Sequence, residues 1–168
     1  MSKIHIVLHE PESPQNTGNI ARSCAATGAA LHLIRPLGFE IDDKKLKRAG
    51  LDYWDKLDIR IYDSYPEFRR LHPEARVYMA TTKGPRTYAE PVYQPDDYLM
   101  FGKETAGIPE EILAQNKEWC IRIPMTEHLR SLNLSNAVAV VLYEALRQQD
   151  FAGLQETGHL RKYDWENL

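Results

Sequence analysis

IHIVLHEPESPQNTGNIARSCAA, residues 4–26, decides the fold. Residues 4–8 form a short apolar run of strand length. Pro11, Pro14 and Gly18 punctuate the segment after it, and a helical stretch is expected from about residue 19 to 26. That order is one strand, loop and helix unit. Outward from it, residues 31–34, 59–62, 77–80, 98–101 and 120–123 are further short apolar runs separated by helical or turn-rich segments. Strands alternating with helices imply an α/β fold with a mostly parallel sheet flanked by helices. Residues 68–71 fall in a short helix, and 82–97, carrying Pro85, Pro91 and Pro95, read as an extended crossing loop.

The strongest helix is expected over about residues 134–149, with Asn133 or Ser135 able to cap it. Ala137, Val138, Val140, Val141, Leu142, Ala145 and Leu146 cover more than one stripe of it. A helix apolar over so much of its circumference needs cover on two sides, so the sheet and a second subunit are expected there, making a homodimer. No internal repeat or domain boundary is visible. A single domain is expected over 1–151, with a polar, partly disordered tail over 152–168.

At 168 residues the chain can bury a core without disulfides or a metal. Its 43% hydrophobic and 27% charged residues are ordinary for a soluble domain, and no apolar run approaches the roughly 20 residues that span a bilayer. The opening MSKIHIVLHEPE lacks the pattern of a signal peptide, so a cytoplasmic location is expected. Cys24 and Cys120, the only cysteines, are read as reduced, buried hydrophobes. A net charge of −3 leaves no basic footprint, so any nucleic-acid site must be a local patch, the best run being Lys44, Lys45, Lys47 and Arg48.

Several chemistries are disfavoured. No G-x-G-x-x-G follows the first strand, and neither a phosphate-binding G-x-x-x-x-G-K-[ST] nor a G-x-S-x-G nucleophile elbow occurs. His5, His9, His32, His72, His128 and His159 show no zinc-ligand spacing, and no metal is expected. What the chain does carry is three polar, Gly- or Asn-rich loops beside apolar strands, where ligands of open α/β sheets bind. The first, NTGNIAR at 16–22, sits at a loop-to-helix junction, with helix capping as its bland reading. In the second, FGKETAGIP at 101–109, Gly102 lets a ligand approach the backbone and two glycines bracket Glu104. The third is IPM at 123–125 with RSLNLSN at 130–136, which sets five polar side chains in seven residues before the most apolar helix.

In that order the three segments resemble the signature motifs of the SpoU branch of SPOUT methyltransferases. HIVLHEPESPQNTGNIARSCAATGAALHLIRPLGF and DDKKLKRAGLDYW further resemble the small tRNA (cytidine/uridine-34)-2′-O-methyltransferases, over roughly residues 4–149. The resemblance implies a deep C-terminal trefoil knot, an exception to the usual absence of knots. It implies S-adenosylmethionine held by Ala80, Thr81, Gly102, Ile123, Ser131 and Leu132, with Ile123 and Leu132 sandwiching the adenine. Its substrate would be tRNA, at C34 or a modified U34, of leucine tRNAs by the same resemblance.

Arg22 aligns with the arginine such enzymes place near the target ribose, and Asn16, Glu104, Ser131 and Asn133 with residues that position substrate or backbone. A free guanidinium, with a pKa above about 12, is a poor base at neutral pH. Arg22 is therefore expected to clamp the neighbouring phosphate and stabilise developing charge on the 2′-oxygen. Lys83, Arg86, Lys103 and Arg130 are expected phosphate contacts around the pocket, and a dimer would combine two such patches. Two other readings stand beside this one: methylation of ribosomal RNA on the same fold, and a non-catalytic RNA-binding module.

Overall fold

The computed structural model describes residues 2–41 and 54–168; the lysine- and arginine-rich run at 44–48 lies outside the described residues. Six strands, β1 (His5–His9), β2 (Ala30–Ile34), β3 (Ile59–Tyr62), β4 (Val77–Ala80), β5 (Tyr98–Phe101) and β6 (Cys120–Ile121), form one sheet in the order β3-β2-β1-β5-β4-β6. Every pairing is parallel. β1, β2 and β5 are buried at every position, which requires cover on both faces of the sheet.

Successive residues alternate between those faces. Ile6, Leu8, Leu31, Leu33, Leu99 and Phe101 pack with Ile20, Cys24, Val138, Val141 and Leu142, from the helices α1 (Pro14–Thr27) and α4 (Leu134–Gln148). Val7, Ile34, Met79 and Met100 face the other way, onto Phe68 of α2 (Tyr65–Leu71) and Leu113 of α3 (Glu110–Ala114).

The runs at 59–62, 77–80 and 98–101 coincide with β3, β4 and β5. β6 ends at Ile121 rather than at residue 123, because Arg122 pairs instead with the loop after β4: its N–H donates to Arg86 O at 2.9 Å and its carbonyl accepts from Tyr88 N at 2.8 Å. α1 begins at Pro14, five residues before the expected start. Ser13 caps it by accepting from Asn16 N, and Pro14 takes the first helical position, where a missing N–H costs nothing. Asn16 therefore belongs to the first turn of α1. α4 is capped by Asn133, whose Oδ1 accepts from Ser135 N and Asn136 N. Val140 (37%) and Tyr143 (45%) on α4 stay exposed, so its second apolar stripe has no cover among the described residues. Phe151 and Leu154 pack against the core, and residues 161–168 are exposed.

Between β1, β2, β3 and α2 runs a chain of ring hydrogen bonds. His5 Nδ1 lies 2.9 Å from His32 Nε2, His32 Nδ1 lies 2.8 Å from Tyr62 Oη, and Tyr62 Oη lies 2.8 Å from His72 Nε2. Tyr62 has one proton to give, so the bonds all run one way, and the Asp96 carboxylate 3.8 Å from His5 Nε2 selects the way that leaves a proton there: His72 donates to Tyr62, Tyr62 to His32, and His32 to His5. All three histidines are neutral in that arrangement. Burial above all, with His5 and His72 nearby, pushes His32 down to about 3. Burial likewise lowers His5 and His72.

The unfolded chain thus binds protons that the folded chain refuses. Stability is complete above the ordinary histidine range near pH 6.5 and falls as pH drops from there toward 3, by about 1.4 kcal/mol per pH unit for each proton refused. Urea midpoints taken between neutral pH and pH 4.5 should fall accordingly, and His32→Gln should flatten the slope. Equal slopes in the two proteins would show that His32 does not carry it.

Candidate functional site

A cleft of about 470 Å³ opens at the carboxyl ends of β4 and β5. Three backbone devices build its walls. The loop after β4 is held against β6, with Thr81 N donating to Ile121 O at 2.9 Å. A Cβ on Gly84 would stand 2.6 Å from Ile121 C, so that approach needs glycine. The loop after β5 folds back on itself, Gly107 N donating to Lys103 O at 2.9 Å with Gly107 in the left-handed region at φ 70°. The third wall is the segment that enters α4.

Glu104 ties these walls together. Its Oε1 accepts from Glu12 N at 3.0 Å and its Oε2 from Ser13 N at 2.7 Å, which places a carboxylate at the positive end of α1. Asn16 Nδ2 reaches the same Oε2 at 3.4 Å, while Asn16 Oδ1 accepts from Asn133 Nδ2 at 3.2 Å. Glu12 returns the clasp, accepting from Thr105 N at 3.0 Å and Thr105 Oγ1 at 2.8 Å, and these bonds hold its carboxyl below the usual range. One chain of bonds thus joins all three motif loops. None of those links is local in sequence.

Of the residues singled out from sequence, Ala80, Thr81, Gly102, Ile123, Ser131 and Leu132 line the cleft, as do Asn16, Glu104 and Asn133. Lys83, Lys103 and Arg130 stand on its rim. Two residues are elsewhere. Arg22 is exposed on α1 and is not part of the lining, and Arg86 donates through its guanidinium to the Glu118 carbonyl. Lys83 pairs with Glu110 at 2.7 Å and Lys103 with Glu10 at 3.3 Å, whereas Arg130 makes no ion pair among the described residues. Met125 and Ala137 also line the cleft. Met125 belongs to the third motif, while Ala137 carries no signal beyond its place on α4.

Other chemistries find no support in the geometry. Among the described residues no group of three or more His, Cys, Asp or Glu side chains converges as a metal site, and no helix is long and apolar enough to cross a membrane. Both thiols are buried; burial pushes Cys24 up to about 12 and raises Cys120, so neither is a ready thiolate.

The comparisons with known proteins agree with this geometry. Residues 3–143 match the model of the SpoU rRNA Methylase family. A Listeria innocua protein is 54% identical over 162 residues, covering 94% of this chain and 96% of its own. The tRNA (cytidine(34)-2′-O)-methyltransferase of Escherichia coli (strain K12) is 51% identical over 151 residues, covering 89% of this chain and 96% of its own. A solved structure described as giving insight into 2-OH methylation of C/U34 on tRNA superposes with a TM-score of 0.83 at 48% identity, over 89% of this chain and 97% of the other. The chain belongs to the SpoU methylase family.

Proposed function

We propose that this chain transfers a methyl group from S-adenosylmethionine to the ribose 2′-hydroxyl of nucleotide 34 of a tRNA, either C34 or a modified U34, with leucine tRNAs as the expected substrates. One observation carries the reading: the three motif loops, far apart in sequence, close around a single cleft and are cross-linked by Glu104, Asn16 and Asn133. The name of the Escherichia coli relative, matched along nearly its whole length, supports the choice of substrate.

The cleft fits the cofactor. Its volume of about 470 Å³ falls among small-molecule sites, which run from about 300 to 1,000 Å³. Gly102 lines the cleft with its backbone packed against Gly107 and Ile108, Ile123, Met125 and Leu132 offer apolar walls to an adenine, and Ser131 and Asn133 offer polar groups to a ribose. When bound, the cofactor supplies a methyl group on a positively charged sulfur. The chain's part is then to hold the 2′-oxygen in line, about 3 Å from that carbon. Asn16 and Asn133, fixed by Glu104, orient the ribose, and Arg130 and Lys103 take backbone phosphates.

Arg22 clamps the phosphate beside the target ribose and stabilises charge growing on the 2′-oxygen. It follows Asn16 by six residues, which on a helix is about 9 Å along the axis and roughly 240° around it, so it stands away from its own cleft. A second copy docked on α1 and on the exposed Val140 and Tyr143 stripe of α4 would bring Arg22 to the neighbouring cleft, and the homodimer is part of this reading. So is the trefoil knot. β6 lies at the sheet edge while α4, the next helix along the chain, packs on α1 and β5 near the centre, and in this reading residues 123–133 pass the loop after β4 that is clasped to β6. A tRNA substrate places the enzyme in the cytoplasm.

The test is transfer from labelled S-adenosylmethionine to unmodified bulk tRNA, with digestion and mass spectrometry to locate the methyl group. A 2′-O-methyl at position 34 is expected. Arg22→Ala should lower the rate about a hundredfold, the scale of one electrostatic donor, with cofactor affinity unchanged. Transfer to ribosomal RNA instead of tRNA would overturn the substrate while leaving the chemistry.

A further inference from the structure

β1 delivers a buried histidine and a carboxylate to the edge of the cleft. His9 is 3% exposed at the end of β1, with its Nδ1 lacking any hydrogen-bond partner and its Nε2 3.5 Å from Glu10 Oε2. Glu10 adopts the left-handed backbone at φ 53°, uncommon for a residue with a Cβ, and its N–H donates to Ile34 O at 2.9 Å. Its other oxygen, Oε1, lies 3.3 Å from Lys103 Nζ. Lys103 lines the cleft between Gly102 and Glu104. Histidine, carboxylate and ammonium therefore form a short line from the core to the rim.

We propose that His9 and Glu10 are positioning residues for Lys103, which contacts a phosphate of the bound RNA, and that binding there is coupled to uptake of one proton by His9. This rests on the proposed RNA substrate. With His9 neutral, its proton sits on Nε2 toward Glu10, and the charges of Glu10 and Lys103 cancel. Such a rim gives an RNA phosphate little attraction. A phosphate that draws Nζ away leaves the Glu10 carboxylate uncompensated beside an imidazole it can charge. Protonation gives Nδ1 a hydrogen that the residue's own backbone helps to hold, a smaller influence than that of Glu10, so the balance turns on Glu10.

The groups facing His9 are Glu10, Lys103 and, edge-on at 6.3 Å, the Tyr65 ring. Burial foremost lowers the affinity of His9 for a proton, Glu10 raises it, and Lys103 lowers it. Moving Lys103 off Glu10 removes one lowering influence and frees the raising one. His9 then holds its proton more tightly in the complex than in the free protein, so RNA binds more tightly as pH falls. Removing either member of the line should break this link.

The experiment measures tRNA dissociation constants and methyl-transfer kcat and KM at pH 8 and pH 6, at fixed ionic strength. Wild-type protein should bind tRNA about threefold more tightly at the lower pH, in KM and Kd rather than in kcat. His9→Gln should lose that excess. Glu10→Gln, which still accepts from Lys103 but carries no charge, should bind about threefold more tightly than wild type at pH 8 and show little pH dependence. Lys103→Met should bind more weakly at both pH values, and Lys103→Arg should recover most of the affinity. Superimposable pH profiles for wild type and His9→Gln would overturn the proposal, as would weaker binding by Glu10→Gln. Should His9→Gln not fold, the direction of the Glu10→Gln effect decides alone. Failure of wild-type protein to methylate any RNA would remove the RNA reading itself, whereas normal methylation with unchanged profiles would remove only the proton coupling.

Discussion

Glu104→Ala should slow methyl transfer by about a thousandfold and destabilise the fold by roughly 2–4 kcal/mol, since two charge-assisted hydrogen bonds of about 1.5–3 kcal/mol each are lost and partly replaced by water. The carboxylate accepts from Glu12 N and Ser13 N at the start of α1, where the helix presents positive charge. Its Oε2 also fixes Asn16, and Asn16 fixes Asn133 at the cap of α4. Release at Glu104 therefore spreads to Asn16 and Asn133, the pair that orients the target ribose, and a displacement of about 1 Å can alone cost a hundredfold. Glu104→Gln is the sharper control. It preserves shape, but its amide NH₂ must face one of the two backbone donors, so it should recover stability only in part and activity hardly at all. Thermal melts and single-turnover transfer on both variants measure this, and a Glu104→Ala protein with a near-normal rate would remove Glu104 from the catalytic framework.

The parallel sheet was legible because its strands are short apolar runs with covered faces, and three of the six matched residue for residue. Places where a side chain acts over distance were not. Pro14 read as loop punctuation, although it opens α1, because a proline that ends one element and one that begins the next look alike without their capping partner. The polar character of Glu104 between two glycines was visible, but its partners lie about 90 residues away, and only the fold brings them together. Lys103 and Lys83 read as phosphate contacts, and each is paired with a glutamate remote in sequence. Arg22 and Arg86 were placed with the cleft by motif and by neighbourhood, and neither enters its lining. Helical phase separates Arg22 from Asn16, and a backbone carbonyl holds Arg86.

Gly102→Ala should abolish detectable cofactor binding and with it transfer, while Gly107→Ala, in the same loop, should do neither. A Cβ on Gly102 would stand 2.1 Å from Gly107 C, 2.2 Å from Ile108 N and 2.6 Å from Gly107 Cα. All three are backbone atoms, pinned by the Lys103 and Gly107 bridge and by burial of Ile108, so no side chain can swing aside to make room. The loop must move by more than about 1 Å to restore ordinary contact, and it forms the floor against which the cofactor would lie. At Gly107 the added Cβ meets nothing within 4 Å, and the whole cost is the left-handed backbone, about 1–2 kcal/mol for a residue with a Cβ. That should weaken binding by no more than about tenfold through partial loop opening. Calorimetric titration of S-adenosylmethionine into both variants, with circular dichroism to confirm folding, separates steric exclusion from conformational strain. A folded Gly102→Ala protein that binds the cofactor normally would mean that the cofactor does not lie against this turn, and the cleft would then have to be assigned to another ligand.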